Sequence, residues 1–243
     1  MKFEVCAVNI QSALAAQRAG ADRIELCSAL DAGGLTPSLG LIRAAIRALV
    51  IPVHVLVRPR EGDFCYSDPE LEIMLDDIRL CREAGAAGVV VGTLTEEGLL
   101  DLPKMKAMKA AAESLEVTCH RAFDFTPDPA EALEQLIEMG FGRVLSSGQS
   151  DSAFEGRLLL QKLVFQANNR IAVMPGAGIN AENIKAITAI SGAKDFHFTG
   201  KKKVSAKGGN DIPGLEPWHW ESDEEAIRAI ILAGSHNSSL HRS

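Results

Sequence analysis

The chain has 243 residues, is 47% hydrophobic and carries a formal net charge of -7. That length suits one barrel-sized domain or two small ones and is ample for a core without staples. The acidic balance argues against nucleic acid, whose phosphates require a basic stripe. Lys201, Lys202, Lys203 and Lys207 form the one local basic cluster. Five scattered cysteines do not make a secreted disulfide framework, so a reducing cytoplasm is expected. The N-terminus enters a strand directly, and no apolar run reaches the ~20 residues of a membrane helix.

Phe3 to Val8 reads as a first strand, and Asn9 caps a helix from Ile10 to Ala19 that Gly20 ends. Arg23 to Cys27 is a second strand. Gly33 and Gly34 form a loop, and Thr36-Pro37-Ser38 opens a helix to Leu49. Val53 to Val57 is strand three, followed by the polar loop from Arg58 to Asp68. Pro69 begins a helix with Leu71, Met74, Leu75, Ile78 and Cys81 at helical spacing; Gly85 stops it. Gly88 to Val91 is strand four, and Pro103 to Ser114 is helical.

Val117 to His120 is strand five. Asp128 and Pro129 start the next helix, which runs to Met139. Arg143 to Leu145 is strand six and Phe154 to Gln166 a helix. Ile171 to Met174 is strand seven, leading into Pro175 to Asn180, and Ala181 to Ile190 is helical. Asp195 to Phe198 is strand eight. After the long stretch Thr199 to Ser222, Asp223 to Leu232 supplies a last helix, and the tail from Ser235 is expected to be disordered. Eight strand–helix units of about 30 residues predict a single-domain (β/α)8 TIM barrel over residues 1–234. A doubly wound sheet would need a Gly-rich first turn, which Asn9 and Ile10 do not provide.

Side chains alternate along a strand, so parity sorts them. Val5, Ile24, Val53 and Val55 should face the helices. Glu4, Cys6, Glu25, Cys27, His54, Leu56, Arg58, Thr118, His120 and His197 should then line the barrel. Barrel layers are mostly aliphatic, so this interior is unusual. Its buried charges must pair, with Arg58 or a histidine as partner to Glu4 and Glu25. Such an interior is either a structural ion-pair core or a functional site.

Several stretches resemble the CutC family in the family's order. They are Glu4-Val5-Cys6, A-D-R-I-E-L-C at Ala21 to Cys27 and G-G-L-T-P-S at Gly33 to Ser38. They continue with R-P-R-E-G-D-F-C-Y-S-D, H-R-A-F-D at His120 to Asp124, R-V-L-S-S-G at Arg143 to Gly148 and M-P-G-A-G-I at Met174 to Ile179. The resemblance implies a cytoplasmic TIM barrel, a homodimer, and a role in copper homeostasis. It also implies that Cys6 and Cys27 are Cu(I) ligands. Beyond Phe198 the resemblance ends, and Thr199 to Ser222, with Trp218-His219-Trp220, departs from it.

Three sites follow. Cys6 and Cys27 lie on neighbouring strands about 5 Å apart, so their thiols can share one soft ion such as Cu(I), or simply pack as small apolar groups. Ser147, Gly148, Gly176, Gly178 and Lys201 sit where TIM barrels bind phosphate, or make ordinary tight turns. Glu25, Arg58, His120, Arg121 and Asp124, with Arg60 and Asp63, fall at strand ends. There a histidine can carry protons and arginines can hold a carboxylate or phosphate. The readings are therefore copper handling, an enzyme acting on a small anionic or phosphorylated metabolite, or a structural barrel.

Overall fold

The computed structural model describes residues 1–205 and 218–235. The tail from 236 onward, and Lys207, lie outside them.

Eight parallel strands run through the molecule: β1 (Lys2–Ala7), β2 (Arg23–Leu26), β3 (Val53–Leu56), β4 (Gly88–Val91), β5 (Glu116–Cys119), β6 (Arg143–Ser146), β7 (Ala172–Pro175) and β8 (Asp195–Phe198). Ladders join them in the order β7-β6-β5-β4-β3-β2-β1-β8, and β7 lies against β8 to bring the two ends together. This is a single-domain (β/α)8 barrel. The helices outside it are α1 (Ile10–Ala19), α2 (Leu39–Ala48), α3 (Asp68–Ala84), α4 (Leu102–Ala112), α5 (Pro129–Glu138), α6 (Arg157–Ala167), α7 (Ile184–Ser191) and α8 (Glu224–Ser235).

Local chemistry sets most helix starts. Asn9 accepts from the Ser12 N–H, and Asp128 accepts from the Ala130 and Glu131 N–H groups. Ser67 and Glu70 close a reciprocal capping box ahead of α3. Gly20 and Gly85 end α1 and α3 in the left-handed region, at φ 96° and 88°. Two starts fall later than expected. Helix α6 begins at Arg157 rather than Phe154, and α7 at Ile184 rather than Ala181, each after a turn. The first turn of α7 is therefore not directly behind Gly176 and Gly178.

Parity held around the barrel. Val5, Ile24, Val55, Val89, Val117, Val144, Val173 and Phe196 belong to the shell between strands and helices. Each fully buried side chain of this kind contributes roughly 1.5–3 kcal/mol. Cys6, Cys27, Leu56 and Val90 form a small separate cluster inside.

The stretch after β8 is not an irregular loop throughout. Lys201–Ser205 (β9) and Trp218–Ser222 (β10) pair antiparallel. Lys203 sits 3.8 Å from the Trp218 ring centre and Lys201 4.0 Å from that of Trp220, so cation–π contacts cross the ribbon. Trp220 Nε1 donates to Asp31 at 2.8 Å and Ser222 N to Ser12 Oγ at 2.9 Å, which docks the hairpin on the barrel rim.

Candidate functional site

The barrel interior is layered. Its floor is a chain of alternating charges. Arg23 Nε donates to Glu4 at 2.5 Å, and its guanidinium also reaches Asp195 at 3.6 Å. Arg143 contacts Asp195 at 3.4 Å, Glu116 at 3.3 Å and Thr118 at 3.1 Å. The partner of Glu4 is thus Arg23, together with His197, and not Arg58. Arg23 has the same parity as Glu25 and Cys27, so the alternation that placed those residues could also have found it.

His197 connects this floor to the layer above. Its Nδ1 lies 2.8 Å from Glu4 Oε1. The His197 bond and the Arg23 charge hold Glu4 well below the ordinary carboxylate range, overcoming burial, which pushes the other way. With Nδ1 committed to a carboxylate, Nε2 of His197 is the ring atom left for other partners. Donor atoms of Cys6, Glu25 and His197 all lie within 4.8 Å of one another, and all three residues are buried. Sequence reasoning placed His197 inside without assigning it to a site.

Cys6 and Cys27 are brought together as expected, with their sulfurs 3.3 Å apart. They are diagonal neighbours: Cys6 is in register with Glu25, two residues before Cys27. The bond to Cys27 and burial raise the Cys6 thiol well above its usual pKa. Burial pushes Glu25 up to about 7. Burial alone would lower His197, but the Glu25 charge and the bonds to Cys6 and Glu4 raise it instead.

A cavity of about 260 Å³ opens at the C-terminal end of the barrel. Cys6, Glu25, Cys27, Arg58, His120, Arg121, Gly178 and His197 line it, with Phe64 and several aliphatic side chains. Arg58 donates to the carbonyl oxygens of Ala32, Gly34 and Gly62. His120 accepts the Ala122 N–H on Nδ1, and burial together with the Arg58 charge lowers its pKa to about 3. Burial and the nearby guanidinium thus favour the uncharged ring at neutral pH.

Other expected site residues do not line the cavity. Asp124 is held by hydrogen bonds from its neighbours. It accepts from Ser146 Oγ at 2.6 Å, from Ser147 N at 3.0 Å and from Arg121 Nε at 2.8 Å. Gly148 donates its N–H to Ser146 Oγ and packs on the backbone of Gly156. Gly176 donates to the Ser146 carbonyl, and a Cβ there would lie 2.4 Å from Leu145 and 3.5 Å from His197. Lys201 is exposed in the hairpin. Arg60 pairs with Glu70 and Asp63 along the loop after β3. Cys81 and Cys119 belong to the outer core, and half-buried Cys65 donates to the Thr95 carbonyl.

A CutC family model matches residues 1–202. A CutC family protein of Pasteurella multocida is 51% identical over 241 residues, covering 95% of this chain and 97% of that one. Relatedness thus extends past Phe198, where the motif resemblance stopped. The copper homeostasis protein cutC homolog of Homo sapiens is 50% identical over 199 residues, 82% of this chain and 73% of that one. The crystal structure of CutC from Streptococcus agalactiae superposes with a TM-score of 0.78 at 37% identity, over 81% of this chain and 97% of that one. Phosphoribosylanthranilate isomerase of Thermotoga maritima, at 14% identity and a TM-score of 0.57, shares the fold alone, over 97% and 99% of the two chains. Matched across most of its length by the family model and by relatives at about half identity, the chain belongs to the CutC family.

Proposed function

We propose that this protein serves copper homeostasis by binding Cu(I) as cargo between Cys6 and Cys27. The observation that carries the reading is the pair of buried sulfurs 3.3 Å apart on the wall of an open cavity. Soft thiolates select Cu(I) over harder ions. His197 adds a third donor, and its Nδ1 bond to Glu4 is the carboxylate–histidine pairing that orients metal-binding imidazoles. Glu25 stands beside it and can take one of the displaced protons, the rest leaving to solvent through the open cavity. Both thiols are free, which suits a reducing cytoplasm. Among the described residues no helix is long and apolar enough to cross a membrane.

Titration of the reduced protein with Cu(I), beside Cys6→Ser, Cys27→Ser and His197→Gln, tests the reading. One ion per chain is expected, with affinity falling at least tenfold in either serine variant, the loss of one charged ligand. Equal stoichiometry and affinity in all four proteins would remove these ligands. The homodimer is part of the same proposal, supported by the resemblance and by an outer face of α6 that exposes Leu158 and Phe165. A single 26 kDa species in sedimentation at micromolar concentration would count against it.

A further inference from the structure

The cavity has two walls of different chemistry. The thiols, Glu25 and His197 stand on the β1, β2 and β8 side. Arg58 and Phe64, from the loop after β3, and His120, just past β5, line another part of it. A soft cation accounts for the first wall only, because a guanidinium repels a cation and an N–H cannot ligate one.

His120 is a hydrogen-bond donor with a fixed proton. Its Nδ1 accepts the Ala122 N–H at 3.1 Å, so the neutral ring carries its hydrogen on Nε2. That nitrogen is buried in a ring only 5% exposed and has no hydrogen-bond partner. A buried N–H is normally paired, and the ring that carries this one lines the cavity. The low pKa keeps the ring in this donor form throughout the neutral range.

Arg58 supplies charge on the same wall. It is 6% exposed, and its terminal nitrogens donate to three backbone carbonyls, which satisfy hydrogen bonds without neutralising the cation. Among the described residues no carboxylate lies within ion-pair distance of it, whereas Arg23, Arg60, Arg121 and Arg143 all have one. Buried charges are as a rule paired. Tyr66 is a neutral neighbour, since burial raises its phenol. Arg58 and His120 flank one ring: the guanidinium carbon is 5.0 Å from the Phe64 centroid and the imidazole centroid 4.9 Å.

We propose that this wall binds the oxyanion group of a small organic anion, a carboxylate or a phosphate monoester. His120 Nε2–H donates to an anion oxygen and the Arg58 guanidinium balances the charge. Leu145, Ile179 and Phe198 line the same cavity and receive the ligand's carbon skeleton. At about 260 Å³ the space falls just under the roughly 300–1,000 Å³ of sites for drug-sized molecules, which limits the ligand to metabolite size. The inference is independent of copper, since it uses neither thiol.

Calorimetric titration of the reduced, metal-free protein with inorganic phosphate, glycerol 3-phosphate and pyruvate tests it. At least one probe is expected to bind one-to-one, and the pattern among the three separates phosphate esters from carboxylates. In folded His120→Phe the affinity should fall about tenfold, the weight of one hydrogen bond to a charged group. In Arg79→Ala, which removes an exposed cation on α3 away from the cavity, it should stay within about twofold, a difference well below one hydrogen bond. If His120→Phe does not fold, the ¹⁵N resonance of His120 Nε2 in the parent decides: movement on adding the tightest probe supports the site. Failure of all three probes to bind below about 10 mM, the millimolar limit of a specific contact, would overturn the proposal. So would undiminished binding to folded His120→Phe, or a His120 resonance that stays still.

Discussion

His197 Nδ1 lies 2.8 Å from Glu4 Oε1, and through this one contact the ionic floor of the barrel orients a ring that reaches the thiol layer. Glu4 is fully buried and also bound to Arg23. Removing one partner of a buried ion pair strands the other, at a cost of about 3–5 kcal/mol. Glu4→Gln should lose stability on that scale in urea unfolding. It should also weaken Cu(I) binding by about 10–100-fold, the usual weight of an outer-shell carboxylate. Unchanged stability together with unchanged affinity would separate the floor from the site.

Buried histidines give the protein a specific acid sensitivity. Burial lowers His120 to about 3 and His54 to about 4, from 6.5. Between those values and 6.5 the unfolded chain binds protons that the folded chain does not. Their contribution is therefore fully present above pH 6.5 and is lost as pH falls toward the folded values. At pH 5 each costs about 2 kcal/mol. Glu25 acts in the opposite sense. Its folded carboxyl, raised to about 7, keeps a proton that the unfolded chain releases above 4.5, so its contribution is lost as pH rises through 7. Urea unfolding at pH 5 and 7 should show His120→Phe losing about 2 kcal/mol less than the parent on acidification. Glu25→Gln should flatten the opposite slope between pH 5 and 7. A His120→Phe variant as acid-labile as the parent would contradict a neutral His120.

Gly156 ahead of α6 touches the loop that holds Asp124. A Cβ at Gly156 would fall 1.9 Å from the Ser147 carbonyl oxygen and 2.8 Å from the Gly148 backbone. Both obstacles are main chain, so neither can swing aside. Gly156→Ala should destabilise by about 1–3 kcal/mol, in the range of overpacked sites. It should also loosen Ser147 from Asp124. Thermal unfolding within a degree of the parent would show that α6 shifts without consequence.

Much of this architecture was legible before any coordinates. Strand alternation has a period of two and the barrel has one inside, so parity alone placed Glu4, Cys6, Glu25, Cys27, His54, Thr118 and His197 within it. Helix starts at Asn9 and Asp128 were legible because a cap acts within three residues of itself. Other features depend on partners distant in the chain. Glu4 could be assigned an interior place but not Arg23 as its mate, because that choice depends on register between β1 and β2. The five-residue turn from Arg121 to Phe125 brings the Ala122 N–H onto His120 Nδ1, a bond that depends on the fold of that turn. Asp124 was read at a strand end, and its hydrogen bonds come from Ser146 and Ser147, residues more than twenty positions later. The β9–β10 pairing brings together lysines and tryptophans from segments that are not adjacent in the chain. Sequence by itself determined which residues are inside, because periodicity is local. Tertiary structure alone decided which of them are paired, charged or open to a ligand, because hydrogen bonding and desolvation depend on what the closed barrel places against each group.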